Sequence, residues 1–118
     1  MAYALLIHED RGRRRQRSAA QADAEYEAMR RYGESLAARG VHRASDALKP
    51  DAEAVTLRLR DGQPQLLDGP FAETKEMLGG FFVLEVASRA EAIALAGECP
   101  AAAWASIEIR EIGTCIDA

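Results

Sequence analysis

The sequence has fewer basic than acidic residues, and it contains no long apolar run. Lys and Arg number 15 against 19 Asp and Glu, which gives a formal net charge of -4 at pH 7. Direct nucleic-acid binding usually requires a basic excess, because each phosphate contact needs a cation. No apolar run approaches the ~18 residues that cross a bilayer. We therefore expect neither a direct nucleic-acid partner nor a membrane partner.

Cysteine is also scarce, and the common cofactor motifs are absent. Cys99 and Cys115 are isolated and lack the spacing of a metal site. Residues 1–7 are too few for the apolar core of a signal peptide and have no basic leader. These features predict a cytoplasmic protein with reduced thiols, and they leave a disulfide between the two cysteines open. Without a phosphate loop, nucleophile elbow or dinucleotide fingerprint, we expect no cofactor.

What is present is typical of one soluble α+β domain over residues 1–118. The chain is 48% hydrophobic and 29% charged, as ordinary globular proteins are. Hydrophobic periodicity predicts helices over 18–39 and 88–99. The predicted strands cover residues 3–7, 41–48, 55–60, 63–67, 80–86 and 104–112. A short tail, 113–118, follows. This order predicts a ferredoxin-like fold with an inserted hairpin.

Local signals place the ends of these elements. Ser18 with Gln21, and Ser88 with Glu91, fit the capping-box pattern that starts a helix. The pair Asp61-Gly62 predicts a two-residue hairpin turn, in which both residues need positive φ. The spacing in the first helix predicts a buried stripe of Tyr26, Met29, Gly33, Leu36 and Ala37.

Five arginines lie between Arg11 and Arg17, in the segment HEDRGRRRQR. One interpretation is a solvated, mobile loop whose like charges repel one another. The other is a lid or anion-steering patch over a nearby pocket. The sequence does not decide between them.

Strand alternation divides the predicted sheet into an apolar face and a mixed face. The apolar face, expected under the helices, carries Tyr3, Leu5, Ile7, Val55, Leu57, Leu59, Phe82, Leu84, Val86, Ile107 and Ile109. The mixed face carries Ala4, Leu6, His8, Thr56, Arg58, Arg60, Phe81, Val83, Glu85, Ser106, Glu108 and Arg110. An apolar patch rimmed by charge predicts an interface, so we expect a homodimer with a pocket at the subunit junction. The alternative for the charged residues is cross-strand ion pairing without a ligand.

The segment LLDGPFAETKEMLGGFFVLEV, residues 66–86, combines turn signals with ionisable groups. Gly69 and Pro70 predict a rigid turn that holds Asp68. We expect Phe71 to anchor this turn in the core, and residues 72–77 to form a short helix that Gly79 ends. Asp68 at such a turn either moves protons or caps backbone amides of the turn.

The string DGQPQLLDGPFAETKEMLGGFFVLEV, with RYGESLAARGV before it and SIEIREI after it, resembles the signature of the YCII-related, or DGPF, family of small bacterial proteins. The resemblance covers nearly the whole chain. It implies a ferredoxin-like fold assembled as a dimeric α+β barrel.

Some members of the wider group carry a histidine–aspartate pair, with the histidine in the first long helix. This sequence has no histidine there, and only His8 and His42 elsewhere. His8 can serve instead, since histidine titrates near neutral pH. The predicted catalytic residues are therefore Asp68 and His8. The predicted ligand-binding residues are Arg58, Arg60, Phe71, Glu73, Lys75 and Glu76. His8-Glu9-Asp10 is not predicted to bind metal, because alternate strand residues point apart.

Two functions follow from these residues and from the resemblance. The first is binding of a small, anionic organic molecule, with cofactor-free proton transfer of the lyase or isomerase type. The second is a non-catalytic ligand-binding or regulatory module, which the resemblance links to transcription through sigma factors. An enzyme should have Asp68 and His8 within hydrogen-bond reach of the same cavity, whereas a binding module should have a pocket without such a pair.

Overall fold

The computed structural model describes residues 1–118. Its helices are α1 (Arg13–Gln16), α2 (Ala19–Ala38) and α3 (Arg89–Gly97). Its strands are β1 (Ala2–Asp10), β2 (His42–Ala47), β3 (Val55–Arg60), β4 (Gln63–Asp68), β5 (Glu76–Glu85) and β6 (Ala105–Glu111). The predicted order of strands and helices is confirmed, with α1 as an addition.

A four-stranded antiparallel sheet forms the centre of the molecule, in the order β2-β5-β1-β6. With the β3–β4 hairpin set aside, this strand order is compatible with the predicted ferredoxin-like fold. β1 lies between two neighbours, and Tyr3, Leu5 and Ile7 on its helix-facing side are buried. The α+β class is therefore confirmed.

The helices cover one face of the sheet, and their ends agree with the sequence signals. Ser18 and Gln21 form the predicted capping box of α2. Gly40 follows that helix with φ of 74°, a conformation that favours glycine. The Tyr32 hydroxyl donates a hydrogen bond of 2.6 Å to the Leu95 carbonyl and so joins α2 to α3. The helix-facing core consists of Tyr3, Leu5, Ile7, Tyr32, Leu36, Phe82, Leu84, Val86, Ala92, Leu95, Ala96, Cys99 and Ala101.

The predicted stripe of α2 is partly wrong. Leu36 is buried and Met29 packs against the core, but Tyr26 is 72% exposed and Ala37 is also exposed. At the first turns of α2, the Arg13 side chain of α1 bonds to Glu25.

The β3–β4 hairpin forms with the predicted turn but in a different place. Asp61 and Gly62 have φ of 52° and 73°, as the two-residue turn requires. The two strands pair only with each other, in a separate two-stranded sheet. Val55, Leu57 and Leu59 are therefore exposed, and the prediction that they lie under the helices is wrong.

The segment after the hairpin also departs from the prediction. Residues 72–77 form no helix, and β5 begins at Glu76. Phe71 is 91% exposed, so it does not anchor the turn in the core. The glycines lie inside β5: the pairing passes from Ile7–Gly80 to His8–Leu78, which leaves Gly79 in a bulge.

The arginine-rich segment is not a solvated loop of repelling charges. Arg13 and Arg17 both donate to the Glu25 carboxylate. Arg14 contacts the buried Glu9, and Arg11 pairs with Asp51. Four of the five arginines thus have a carboxylate partner, which the sequence spacing does not reveal.

No helix is long and apolar enough to cross a membrane. Cys99 is buried and Cys115 is exposed, and neither forms a disulfide. Burial raises the pKa of the Cys99 thiol.

Candidate functional site

The face of the sheet that no helix covers carries a half-buried apolar strip. We call it the open face: its paired residues are Ala4 with Val83, Leu6 with Phe81, and His8 with Leu78. The bulge at Gly79 shifts the alternation of β5 by one residue, so that Leu78 lies beside His8 on this face. One end of this strip deepens into a cleft of about 730 Å³, the open-face cleft. Its lining is His8, Leu48, Lys49, Pro50, Asp51, Glu53, Ala54, Pro70, Phe71, Ala72, Thr74, Glu76, Met77 and Leu78.

His8 is held at the inner end of the cleft by a charged partner. Its Nε2 lies 2.8 Å from Glu108 Oε1 on the neighbouring strand β6. An ionised carboxylate only accepts hydrogen bonds, so a neutral His8 carries its proton on Nε2. The second ring nitrogen, Nδ1, then has the free lone pair. This arrangement orients an imidazole as a proton acceptor.

Beyond His8 the cleft opens into a polar extension. It is lined by His8, Asp10, Thr74, Lys75 and Glu76, and none of these side chains is hydrophobic. The site therefore has an apolar half, which includes Leu48, Phe71 and Leu78, and a polar half, and His8 lines both.

Arg11 fixes the segment that forms the polar half. Its backbone N–H donates to the Lys75 carbonyl at 3.0 Å, and its Nε donates to the Thr74 carbonyl at 2.9 Å. The same guanidinium pairs with Asp51, which also lines the open-face cleft. Arg11 thus joins two segments of the cleft lining to the end of β1. From the sequence, Arg11 belongs to a charge run that is either a solvated loop or a patch over a nearby pocket.

The structure brings together four of the predicted site residues: His8, Phe71, Lys75 and Glu76. The other four, Asp68, Glu73, Arg58 and Arg60, line neither cavity. Asp68 ends β4 opposite Val55, and the turn after it is held by other groups. The Gly69 N–H donates to the Ala54 carbonyl, and the Thr56 hydroxyl donates to the Gly69 carbonyl.

The two hairpin arginines bond within the hairpin. Arg58 Nε donates to Gln65 Oε1 at 3.1 Å, and Arg60 Nη1 donates to the Leu59 carbonyl at 2.8 Å. Sequence reasoning placed both on the same sheet face as His8. That placement is wrong, because the hairpin is separate from the main sheet.

Comparison with known proteins identifies the family of this chain. The model of the YCII-related domain family matches residues 1–115. The chain belongs to the YCII-related domain family. A relative from Rhizobium meliloti (strain 1021), an uncharacterised protein, is 42% identical over 67 residues. The match covers 55% of this chain and 54% of that protein, so the chain spans about half the length of the curated relative.

This YCII-related protein gathers no group of three or more His, Cys, Asp or Glu side chains that could hold a metal ion. His8 and Glu9 point to opposite faces of the sheet, as neighbouring strand residues do. Sequence reasoning named Glu108 only as a mixed-face ion-pair residue. Its pairing with His8 follows from the register of β1 against β6, in which Leu6 lies opposite Glu108.

Proposed function

We propose that this YCII-related protein binds a small organic molecule in the open-face cleft, in the cytoplasm. The observation that carries the proposal is His8, oriented by Glu108 at the junction of an apolar and a polar half-cleft. Such a cavity suits a ligand with an apolar body and an acidic or strongly polar end. The body would contact Phe71 and Leu78, and the polar end would face His8 and Lys75.

We further propose that a second copy of the chain closes the cleft, as in a dimeric α+β barrel. A single chain leaves large apolar groups in water: Leu57 and Leu66 are each 64% exposed, and Phe71 is 91% exposed. Large exposed apolar side chains, two of which, Leu57 and Leu66, are paired across the hairpin, favour an interface. The charged residues at the rim of the open face, Glu85 and Arg110, would then lie at the subunit junction.

The chemistry that this arrangement supports is cofactor-free proton transfer. His8 Nδ1 would accept a proton from the ligand, and Glu108 would stabilise the imidazolium that forms. The electron pair left on the ligand would expel a leaving group in a lyase step, or His8 would return the proton to another atom of the ligand in an isomerase step. Asp68 lies outside the cleft, so the proposal gives the proton transfer to His8.

A non-catalytic binding module is the second candidate. The position of Asp68 favours it, because the pair expected of an enzyme, Asp68 with His8, does not line one void. In that case the protein would bind the ligand without converting it. The effect of binding would be sought in transcription, through the sigma-factor link that the resemblance implies.

A metabolite library screened by thermal shift tests the proposal. A ligand at 100 times its dissociation constant adds about 2.7 kcal/mol of stability. Any hit is then incubated with the wild type, with His8→Gln and with His42→Gln, the matched control at the other histidine. We expect conversion of the ligand by the wild type and by H42Q, and none by H8Q.

The outcomes separate the candidates. Binding that Leu78→Asp abolishes, without conversion by the wild type, supports the sensing module. Conversion that survives in H8Q removes His8 from the proton transfer. A hit whose binding is unchanged by Leu78→Asp contradicts the open-face cleft as the binding site.

A further inference from the structure

Arg14 lies on the helix-covered side of the sheet, away from the open-face cleft. It belongs to the short helix α1, and its side chain is 23% exposed. Arg14 and the buried Glu9 line a cavity of about 680 Å³ that does not include His8. Because Glu9 and His8 are neighbours on β1, their side chains point to opposite faces. Arg14 therefore reaches β1 on the face opposite to the histidine that is proposed to contact the ligand.

The Arg14 guanidinium joins three segments of the chain. Its Nε lies 2.5 Å from Glu9 Oε1 on β1. Its Nη1 donates to the Leu48 carbonyl at 2.7 Å, and its Nη2 donates to the Gly79 carbonyl at 3.0 Å. All three guanidinium nitrogens thus have a protein partner, in the planar fork geometry that arginine offers and lysine does not.

Two of these partners belong to the lining of the open-face cleft or adjoin it. Leu48 is the first residue after β2, and it lines the cleft. Gly79 forms the bulge of β5 that places Leu78 beside His8. The Leu48 N–H also donates to the Gly79 carbonyl, at 2.9 Å, so this carbonyl accepts from the backbone and from Arg14. Arg14 thus fixes the backbone at two points next to apolar side chains of the cleft.

Charge balance alone does not account for these contacts. A buried carboxylate such as Glu9 needs a cation, and an ammonium group would neutralise it as a guanidinium does. The carbonyls of Leu48 and Gly79 are neutral, and a bond to each of them requires donors in set directions. The two carbonyl bonds therefore call for a role that goes beyond neutralising the carboxylate.

We propose that Arg14 is a positioning residue of the open-face cleft. It holds Leu48 and Leu78 in place around His8, and so determines the size of the apolar ligand body that the cleft accepts. Arg14 does not line the cleft, so it acts through its backbone contacts. The inference rests on the function proposed for the cleft, because it adds a determinant of the same binding site.

Arg14→Lys tests the proposal, because lysine keeps the charge beside Glu9 but cannot hold all three partners. Arg13→Lys is the matched control: Arg13 is also on α1, its side chain is 21% exposed, and it donates to a carboxylate on α2. Amide hydrogen exchange is measured by NMR, with the amide of Leu5 in the buried core as the reference for global opening. We expect exchange at Leu48, relative to Leu5, to be about tenfold faster in R14K and unchanged in R13K.

Two further readouts separate positioning from a general loss of stability. In R14K the methyl resonances of Leu48 and Leu78 and the ring ¹⁵N resonances of His8 should shift, and in R13K they should not. Hexanoate is the ligand probe, because it has an apolar body and an acidic end. It should bind the wild type and R13K with equal affinity and R14K about fivefold more weakly.

The inference would be overturned if Leu48 exchange or hexanoate affinity changed equally in R14K and R13K. Wild-type spectra without nuclear Overhauser effects between the Arg14 guanidinium hydrogens and Leu48 would also overturn it, and this measurement needs no variant that folds. Absence of hexanoate binding to the wild type would instead contradict the ligand class proposed for the cleft. The exchange rates would still decide the role of Arg14, so the two failures are distinguishable.

Discussion

At the scale of single residues, two neighbours on β1 determine which chemistry each face of the sheet carries. His8 faces the open-face cleft and pairs with Glu108, while Glu9 lies under the helices beside Arg14. Gly79 makes room for the second arrangement. A Cβ added there would lie 2.8 Å from Glu9 Oε1 and 3.0 Å from Arg14 Nη2. Glycine is therefore required at this bulge, because a Cβ atom would clash with the Glu9–Arg14 pair.

Replacing Gly79 with Ala should destabilise the protein by about 1–3 kcal/mol, because the buried Glu9–Arg14 pair must move. Urea denaturation measures the change in the free energy of unfolding. Gly97→Ala is the matched control, since a Cβ there meets nothing within 4 Å and the residue ends α3. That variant should be neutral or slightly stabilising. Equal stability of G79A and the wild type would contradict the packing described here.

Glu25 makes stability depend on acid pH. The hydrogen bonds from Arg13, helped by Arg17, lower the pKa of this carboxyl from 4.5 to about 2. A carboxyl whose pKa falls on folding stabilises the folded state above its unfolded pKa. That stability is lost as pH falls from 4.5 towards 2. The full shift corresponds to about 3 kcal/mol, which screening near the surface reduces to about 1–2 kcal/mol.

Glu25→Gln should therefore lower the free energy of unfolding at pH 7 by about 1–2 kcal/mol and flatten its fall below pH 4.5. Denaturant titrations between pH 7 and pH 2.5 measure both effects. Glu27→Gln is the control: Arg30 also lowers the pKa of Glu27 to about 2, but that carboxyl lies on the outer surface of α2. If E27Q lowered the free energy of unfolding as much as E25Q does, the stabilising role assigned to Glu25 would be contradicted.

At the scale of elements, α2 depends on its first turn. The Ser18 hydroxyl accepts from the Gln21 N–H at 3.1 Å, and the Gln21 side chain accepts from the Ser18 N–H at 3.4 Å. Ser18→Ala removes the first of these bonds and should cost about 1 kcal/mol. Thermal or urea unfolding measures it. Ser35→Ala, at an exposed position in the middle of the same helix, should be neutral or stabilising. If S35A destabilised the protein more than S18A, the role of Ser18 as a cap would be contradicted.

Elements whose signals are local could be predicted from the sequence. The cap at Ser18, the stop at Gly40 and the turn at Asp61-Gly62 each depend on a few adjacent residues, and all three are confirmed. The location of the hairpin could not be predicted, because alternation in β3 fixes two faces without saying which sheet they belong to. Phe71 was misplaced for a related reason, since an apolar residue at a turn is equally suited to a core and to an interface.

In the candidate site, too, local features could be predicted from the sequence and long-range contacts could not. The sequence places His8 at the end of a predicted strand on the mixed face, and the structure has it on the open face. Glu108 was placed on that face too, but its contact with His8 depends on the register of two strands that are 100 residues apart in sequence. The roles of Arg11 and Arg14 depend on long-range partners, Asp51 and Glu9, which no spacing rule supplies.

At the scale of the whole molecule, the single chain buries few of its residues and is more extended than a compact domain. Only 17 of 118 residues are buried, and the radius of gyration is 16.2 Å. A compact chain of this length has a radius of about 13.5 Å. The β3–β4 hairpin is separate from the main sheet, and its Leu57 and Leu66 are exposed. These features fit a chain that folds against a second copy.

Leu57→Asp should weaken the proposed dimer, since it puts a charge on the apolar face of the hairpin. The control is Gln65→Asp, which adds the same charge to the opposite face, where Gln65 lies across from Arg58. Size-exclusion chromatography with light scattering should show L57D shifted towards the monomer and Q65D unchanged. Far-ultraviolet circular dichroism should be the same for both, and equal dissociation of the two variants would contradict the proposed contact face.

The mass of the wild-type chain in dilute solution tests the central claim most directly. One chain has a mass of 12.8 kDa. Sedimentation equilibrium at low micromolar concentration should give twice that value, because the open face and the hairpin are proposed to be covered by a second copy. A mass of one chain throughout that concentration range would leave Phe81 and the cleft around His8 uncovered, and would contradict the account.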